Sequence, residues 1–212
     1  MVLSDACVFV YPDGDTSVRR MALESRYLGI ERILCAGYSG CNSYSGVFVV
    51  GAVCLRPKDF RNFMSSLKKT GSYDIITVAA GDAGLNRSLI SSGRIHILRG
   101  IEYAPKKAFD DVCALNAAEK GTAIDINLSS LTRKKGILRQ KALDSFSEIL
   151  KFQRKFGFSL TLSSGARSCT ELLSVRDMEN LCGLFGMTDD EVKSALNSVD
   201  SLLSPCGPVE VI

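Results

Sequence analysis

The 212-residue chain contains a single histidine, His96. That scarcity excludes a Cys/His zinc site of the usual kind. It also leaves a two-metal hydrolytic centre, which needs several histidines beside its carboxylates, short of ligands. A serine nucleophile would have to take the same His96 as its base, and no G-x-S-x-G frames any serine. None of the eight cysteines (Cys7, Cys35, Cys41, Cys54, Cys113, Cys169, Cys182, Cys206) forms a C-x-x-C pair. Cys7, Cys35 and Cys54 lie in apolar runs, where a thiol packs as a small hydrophobe. The expectation is a reduced interior without a disulfide framework. No run reaches the roughly 18 apolar residues of a membrane span. The opening MVLSDACVFVYPDGD carries early acids in place of the basic leader of a secretory signal. A cytoplasmic protein with no membrane partner is expected. No G-x-G-x-x-G follows the first strand candidate, so the dinucleotide signature is missing too.

The charge that is present is unevenly spread. The net charge is only +3, too small to imply a nucleic-acid partner by itself. Residues 133–155, however, hold eight basic side chains (Arg133, Lys134, Lys135, Arg139, Lys141, Lys151, Arg154 and Lys155) against Asp144 and Glu148. From Cys169 onward the balance reverses, with Arg176 and Lys193 set against eight acids. Two readings fit: a solvated helix face, or a polarised surface with one side suited to an anion.

Seven short runs read as strands: Ala6–Tyr11, Arg32–Gly37, Val47–Leu55, Asp74–Ala80, Arg94–Leu98, Ala123–Leu128 and Phe158–Ser163. They are rich in β-branched and aromatic residues and are bounded by Gly, Pro, Asp or Ser. Most are continuously apolar, as strands covered on both faces of a parallel sheet are. Helical patterns lie between them. One opens at a Thr16 cap and closes at Gly29; one starts at Pro57 and ends at Gly71. A third places Val112, Leu115 and Ala118 on one side. A fourth carries Leu138, Ala142, Phe146, Ile149 and Leu150 on one stripe. Ser174 with Asp177, and Thr188 with Glu191, have the spacing of capping pairs. Strands each followed by a crossover predict an α/β fold: a single TIM-like (β/α) barrel of seven to eight parallel strands, with an open doubly wound sheet as the alternative. One domain is expected over 1–212, with a short tail at 205–212.

Functional groups of such a barrel gather where strands finish. The candidates there are Tyr11-Pro12-Asp13, Gly81-Asp82, Asn127 and the small-residue run Ser163-Ser164-Gly165-Ala166-Arg167-Ser168. In that last run small residues let backbone N–H groups approach an anion, and Arg167 adds a planar donor fork. The competing reading is a tight turn whose arginine braces a neighbouring loop. Asp5, Asp74 and Asp125 are the strand-embedded acids, with Asp125 read as a polar group of the barrel interior. His96, between two isoleucines, reads as a satisfied interior side chain. The basic stretch from Arg133 would neutralise phosphates by shape and charge, since no RNA-recognition aromatic signature accompanies it.

With these residues in view, the chain resembles archaeal ribonuclease P protein component 3, the barrel subunit of that ribonucleoprotein. The resemblance rests on GDAGLNR, on FDDVCALNAAEKGTAIDINLSSL, and on KFGFSLTLSSGARSCTELLSVRDMENLCGLFGMTDDEV. It implies a barrel akin to metal phosphoesterases but without their histidine-rich site. It implies an enzyme only as part of a holoenzyme, in which the RNA subunit, with Mg²⁺, cuts the 5′ leader from precursor tRNA. The protein would bind no cofactor of its own. Its partners would be the ribonuclease P RNA, precursor tRNA, and protein component 2 in a heterotetramer with two copies of each. Motif matches point to Asn86, Arg87, Ser164 and Arg167 as RNA-binding or loop-bracing residues. Charge alone adds Arg133, Lys134, Lys135, Arg139 and Lys155. No catalytic and no metal-ligating residue is expected. The alternative from a different class is a free-standing barrel phosphoesterase or sugar-phosphate enzyme.

Overall fold

The computed structural model describes residues 2–71 and 73–203. Its frame is a nearly closed barrel. The strands are β1 (Ser4–Phe9), β2 (Arg32–Ala36), β3 (Cys41–Tyr44), β4 (Val47–Leu55), β5 (Ile75–Ala79), β6 (Ile97–Arg99), β7 (Ala123–Asn127) and β8 (Leu160–Ser163). Seven of them pair in parallel in the order β1-β2-β4-β5-β6-β7-β8. All seven fall on the apolar runs read from the sequence. The helices are α1 (Val18–Tyr27), α2 (Phe60–Leu67), α3 (Ala83–Ser91), α4 (Asp111–Lys120), α5 (Ser129–Thr132), α6 (Ile137–Phe156), α7 (Val175–Gly183), α8 (Asp189–Asn197) and α9 (Val199–Leu203). The tail at 205–212, with Cys206, lies outside the described residues. Among the described residues no helix is long and apolar enough to cross a membrane, and the cysteines are free thiols.

The expectation that every strand is followed by a helical crossover fails once. Only residues 37–46 separate β2 from β4, fewer than the dozen or so a helical crossover requires. The chain instead makes β3, which pairs antiparallel with β4 from Cys41 opposite Val50 to Tyr44 opposite Val47. Ser45 and Gly46 both take positive φ, 53° and 83°, the pairing that a two-residue primed hairpin turn demands.

Several helix boundaries also shift, each for a local reason. Ser17, not Thr16, caps α1 by accepting from the Arg20 N–H; Thr16 is drawn off to accept from the Cys169 N–H at 3.1 Å. Asp59 caps α2, accepting from Asn62 N–H at 2.7 Å, and the helix stops at Leu67, short of Gly71. On α4 the buried side is Cys113, Ala114 and Ala117, while Val112 and Leu115 are exposed. Small side chains let α4 lie close against its neighbours, so packing overrides the larger residues. Leu138 likewise leaves the α6 stripe and is exposed, while Ala142, Phe146, Ile149 and Leu150 are buried. The two capping boxes, Ser174 with Asp177 and Thr188 with Glu191, form as the spacing predicts.

Packing divides by face. The outer faces of the strands meet the helices in a layer that includes Phe63, Phe146 and Phe158, all fully buried. Each such ring contributes about 1.5–3 kcal/mol through the area it removes from water. Inside the barrel the residues change with height. At the strand N-termini the filling is apolar: Leu34, Val50, Ile75, Ile97 and Ala123, closed off by Val199 of α9. Asp200 beside it pairs with Arg32. One step further along the strands the filling becomes polar. Arg99 stands in register with Asp125, and Thr161 and Ser163 donate to the two Asp125 oxygens. The polar half opens toward the strand C-termini, where the loops gather.

Candidate nucleic-acid interface

The run from Ser163 to Ser168 seals the barrel. No strand ladder joins β8 to β1; the loop after β8 makes the seam instead. Gly165 N–H donates to the Cys7 carbonyl at 3.0 Å, Phe9 N–H to the Ala166 carbonyl at 2.7 Å, and Asp15 N–H to the Arg167 carbonyl at 2.8 Å. Ser164 is buried; its N–H donates to Asp5 Oδ1 at 3.1 Å and its hydroxyl accepts from Ala166 N–H. Gly165 has φ +61°, and a Cβ there would stand 2.6 Å from Asn127 Oδ1. The small residues are thus required by the approach of β1 and β7. Arg167 makes the bracing contact that one of the two sequence readings expects. Its Nη1 donates to the Asp13 carbonyl at 2.8 Å and its guanidinium lies 4.4 Å from the Phe9 ring centroid. It also lines the open mouth.

That mouth is a cavity of about 650 Å³. Five basic residues line it: Arg56, Arg99, Arg133, Lys134 and Arg167, with Tyr103 on the rim and no Asp or Glu among the lining residues. Arg133 is braced, donating to the Gly165 carbonyl at 2.9 Å and to Glu171 at 3.2 Å. Lys134 adjoins it in sequence, and exposed Lys135 follows. Arg139 turns back, its Nε donating to the Lys134 carbonyl at 2.9 Å. Arg167, Arg133, Lys134, Lys135 and Arg139 therefore occupy the mouth or the turn beside it. Arg87 and Lys155 are engaged elsewhere. Arg87 pairs with Asp110, holding that α4 cap well below the usual carboxylate range, at about 2. Lys155 pairs with Asp111 at 2.6 Å, about 27 Å of helix axis beyond Ile137.

Sequence reasoning missed Arg56, Arg99 and Tyr103. The signal was available. Arg99 is the last residue of β6 and Arg56 the first after β4, so the rule that strand ends face the mouth reaches both. Arg99 was masked by its apolar run, RIHILRG. His96 of the same run sits before β6, where its Nδ1 accepts from Ile76 N–H at 3.0 Å; burial pushes its pKa down.

The interior beneath the mouth has its own electrostatics. Burial raises Asp5 to about 6 and raises Asp125 as well, because neither carboxylate has enough donors to offset lost water. Burial likewise raises Glu102 to about 7. Of the three, Glu102 is the one held close enough to neutrality to give up part of its negative charge there. Cys54, which opens into the cavity, is pushed down by a hydrogen bond from Cys7 and by the Arg99 charge. Among the described residues no three His, Cys, Asp or Glu side chains gather around one point as metal ligands would. What the arrangement offers chemically is a concave cationic surface over a buried polar floor.

A curated ribonuclease P protein component 3 from Methanosarcina barkeri is 28% identical over 206 residues, covering 92% of this chain and 85% of the relative. Another from Methanothermobacter thermautotrophicus is 32% identical over 154 residues, covering 71% of this chain and 62% of the relative. Among solved structures, a chain of an archaeal ribonuclease P with mature tRNA, determined by electron cryomicroscopy, superposes with a TM-score of 0.77 at 17% identity, over 93% of this chain and 89% of that one. An amidohydrolase crystal structure shares the fold at a TM-score of 0.58 and 10% identity, over 95% of this chain and 73% of that one. The family model described as RNase P subunit p30 matches residues 2–206, and the chain belongs to that family.

Proposed function

We propose that this ribonuclease P protein binds and shapes RNA with the basic mouth of its barrel, in the cytoplasm, while bond cleavage is left to the RNA. In this reading the ribonuclease P RNA removes the 5′ leader of precursor tRNA with Mg²⁺, and the protein itself needs no cofactor. It works beside protein component 2, two copies of each forming a heterotetramer. The observation that carries the reading is the mouth: five basic side chains converge on one cavity with no acid among its lining residues. Backbone phosphates are the ligand such a surface suits, with little reading of base identity. The alternative, a free-standing barrel phosphoesterase, would draw on clustered metal ligands, and the described residues supply no such cluster.

The test is reconstitution of precursor-tRNA cleavage with the cognate RNA, with and without this chain, across a Mg²⁺ series. The expected outcome is cleavage at lower Mg²⁺ when the protein is present. No gain at any Mg²⁺ concentration would overturn the reading.

A further inference from the structure

We propose that the barrel mouth is a discrete pocket for a phosphate monoester, seated on Arg99 and gripped by Arg56 and Lys134. Three observations carry this. First, Arg99 forms the floor and is nine-tenths buried. Its Nη1 donates to the Cys7 and Cys54 sulfurs, its Nε lies 3.6 Å from Asp125, and its guanidinium stands 5.8 Å from the Phe9 ring centroid. Its Nη2 donates to nothing among the described residues. A buried guanidinium with an unengaged nitrogen in the lining of the cavity can still donate to an anion arriving from the open side. Second, Arg56 and Lys134 line the same cavity, and neither side chain forms an ion pair or hydrogen bond among the described residues. Arg133 and Arg167 differ from them in being held by loop carbonyls. The mouth thus has two kinds of cation: braced ones that build the wall and unengaged ones able to close on a ligand. Third, about 650 Å³ lies in the usual range for a small-molecule site. Tyr103, 60% exposed, offers a ring at the rim for a base to stack on.

A terminal phosphate carries more charge than a backbone diester and has three equivalent acceptor oxygens, which suits convergent donors from two strand ends and the turn after α5. Such a group has two sources, the phosphorylated end of an RNA or a free nucleotide. The inference rests on the RNA-binding reading only for the choice between them.

Cys54 supplies a reporter, because its thiol opens into the cavity beside Arg99. Purified full-length chain would be treated with iodoacetamide and each cysteine followed by peptide mass mapping, with exposed Cys41 as internal reference. Inorganic phosphate and AMP are expected to slow Cys54 alkylation about tenfold at saturation, leaving Cys41 unchanged; adenosine is expected to leave both unchanged. Arg56→Ala and Lys134→Ala, both at exposed positions, should each raise the half-protecting AMP concentration several-fold with an unaltered circular dichroism spectrum. Arg99→Lys should abolish protection if it folds; the two surface variants decide the matter if it does not. Protection by a 5′-phosphorylated oligoribonucleotide but not its 5′-hydroxyl twin assigns the pocket to an RNA end. Protection by AMP with neither oligonucleotide effective assigns it to a free nucleotide. Equal protection by both oligonucleotides, protection by adenosine, or none by AMP would overturn the proposal. A failed pocket beside successful reconstitution of cleavage would remove the pocket and leave the RNA-binding reading standing.

Discussion

Arg154 of α6 grips Glu191 of α8 with two hydrogen bonds, from its Nε at 2.8 Å and its Nη2 at 2.9 Å. The pair joins the basic stretch of the chain to its acidic last third. It pulls Glu191 down to about 2, and a third bond from Arg154 holds the Gly186 carbonyl. Lys155 is tied to Asp111 in the same region. The far end of α6 is therefore largely neutralised within the protein, and the uncommitted charge is concentrated at its start.

A salt titration of RNA binding separates the two ends. Removing Lys134, Lys135 and Arg139 together (Lys134→Ala, Lys135→Ala, Arg139→Gln) should weaken binding for all sequences. It should also flatten the slope of log affinity against log salt by about 2–3, as each lost phosphate contact contributes about 0.7–0.9. Arg154→Gln with Lys155→Gln should leave that slope nearly unchanged. The reverse pattern would move the RNA surface to the other end of α6.

The seam between β8 and β1 makes a sharp demand on Gly14. A Cβ at Gly14 would meet the Phe9 carbonyl at 2.2 Å and the Arg167 carbonyl at 2.6 Å, both fixed backbone of the closure. Gly14→Ala should destabilise by about 3 kcal/mol, the upper range for forced overpacking. Gly157 ends α6 with φ +75° but has open space around it, so Gly157→Ala should cost about 1 kcal/mol from the left-handed backbone alone. Urea unfolding of the two variants checks the order; equal losses would mean that the seam yields.

Buried carboxyls set the pH dependence. Burial moves Glu102 from 4.5 to about 7, and its Oε2 is buried without a partner while Oε1 accepts from Ser130. Between those values the folded protein holds a proton that the unfolded chain releases. The contribution is therefore complete below about 4.5 and is lost as pH rises through about 7. Asp5, raised to about 6, acts in the same direction. Glu102→Gln should flatten the fall in unfolding free energy between about pH 5 and about pH 8, gaining on the parent chain at the higher pH. Parallel curves for variant and parent would show that Glu102 does not titrate in this window.

The parts of the fold legible in the sequence were those governed by local rules. Continuous apolarity marked all seven parallel strands, and Ser174 and Thr188 announced their capping boxes. What escaped depended on distance through space. The Cys41–Gly46 run is polar and short, and becomes a strand only because β4 lies beside it. Val112 and Leu115 lost to smaller neighbours for a reason set by the packing of α4. The site was half visible. Arg167, Arg133 and Lys134 stood out by motif or charge, whereas Arg99 was hidden because its strand alternates faces, and only the closed barrel shows which face becomes the floor.

The seam carries a consequence for how the molecule is made. It ties Cys7 and Phe9 to Gly165 and Ala166, so the first strand gains its second neighbour only through contacts between opposite ends of the barrel sequence. Contacts this remote in sequence form slowly, and until they form the sheet keeps an open edge. The cationic mouth, to which Arg167 of the same loop belongs, is complete only once that last latch has shut.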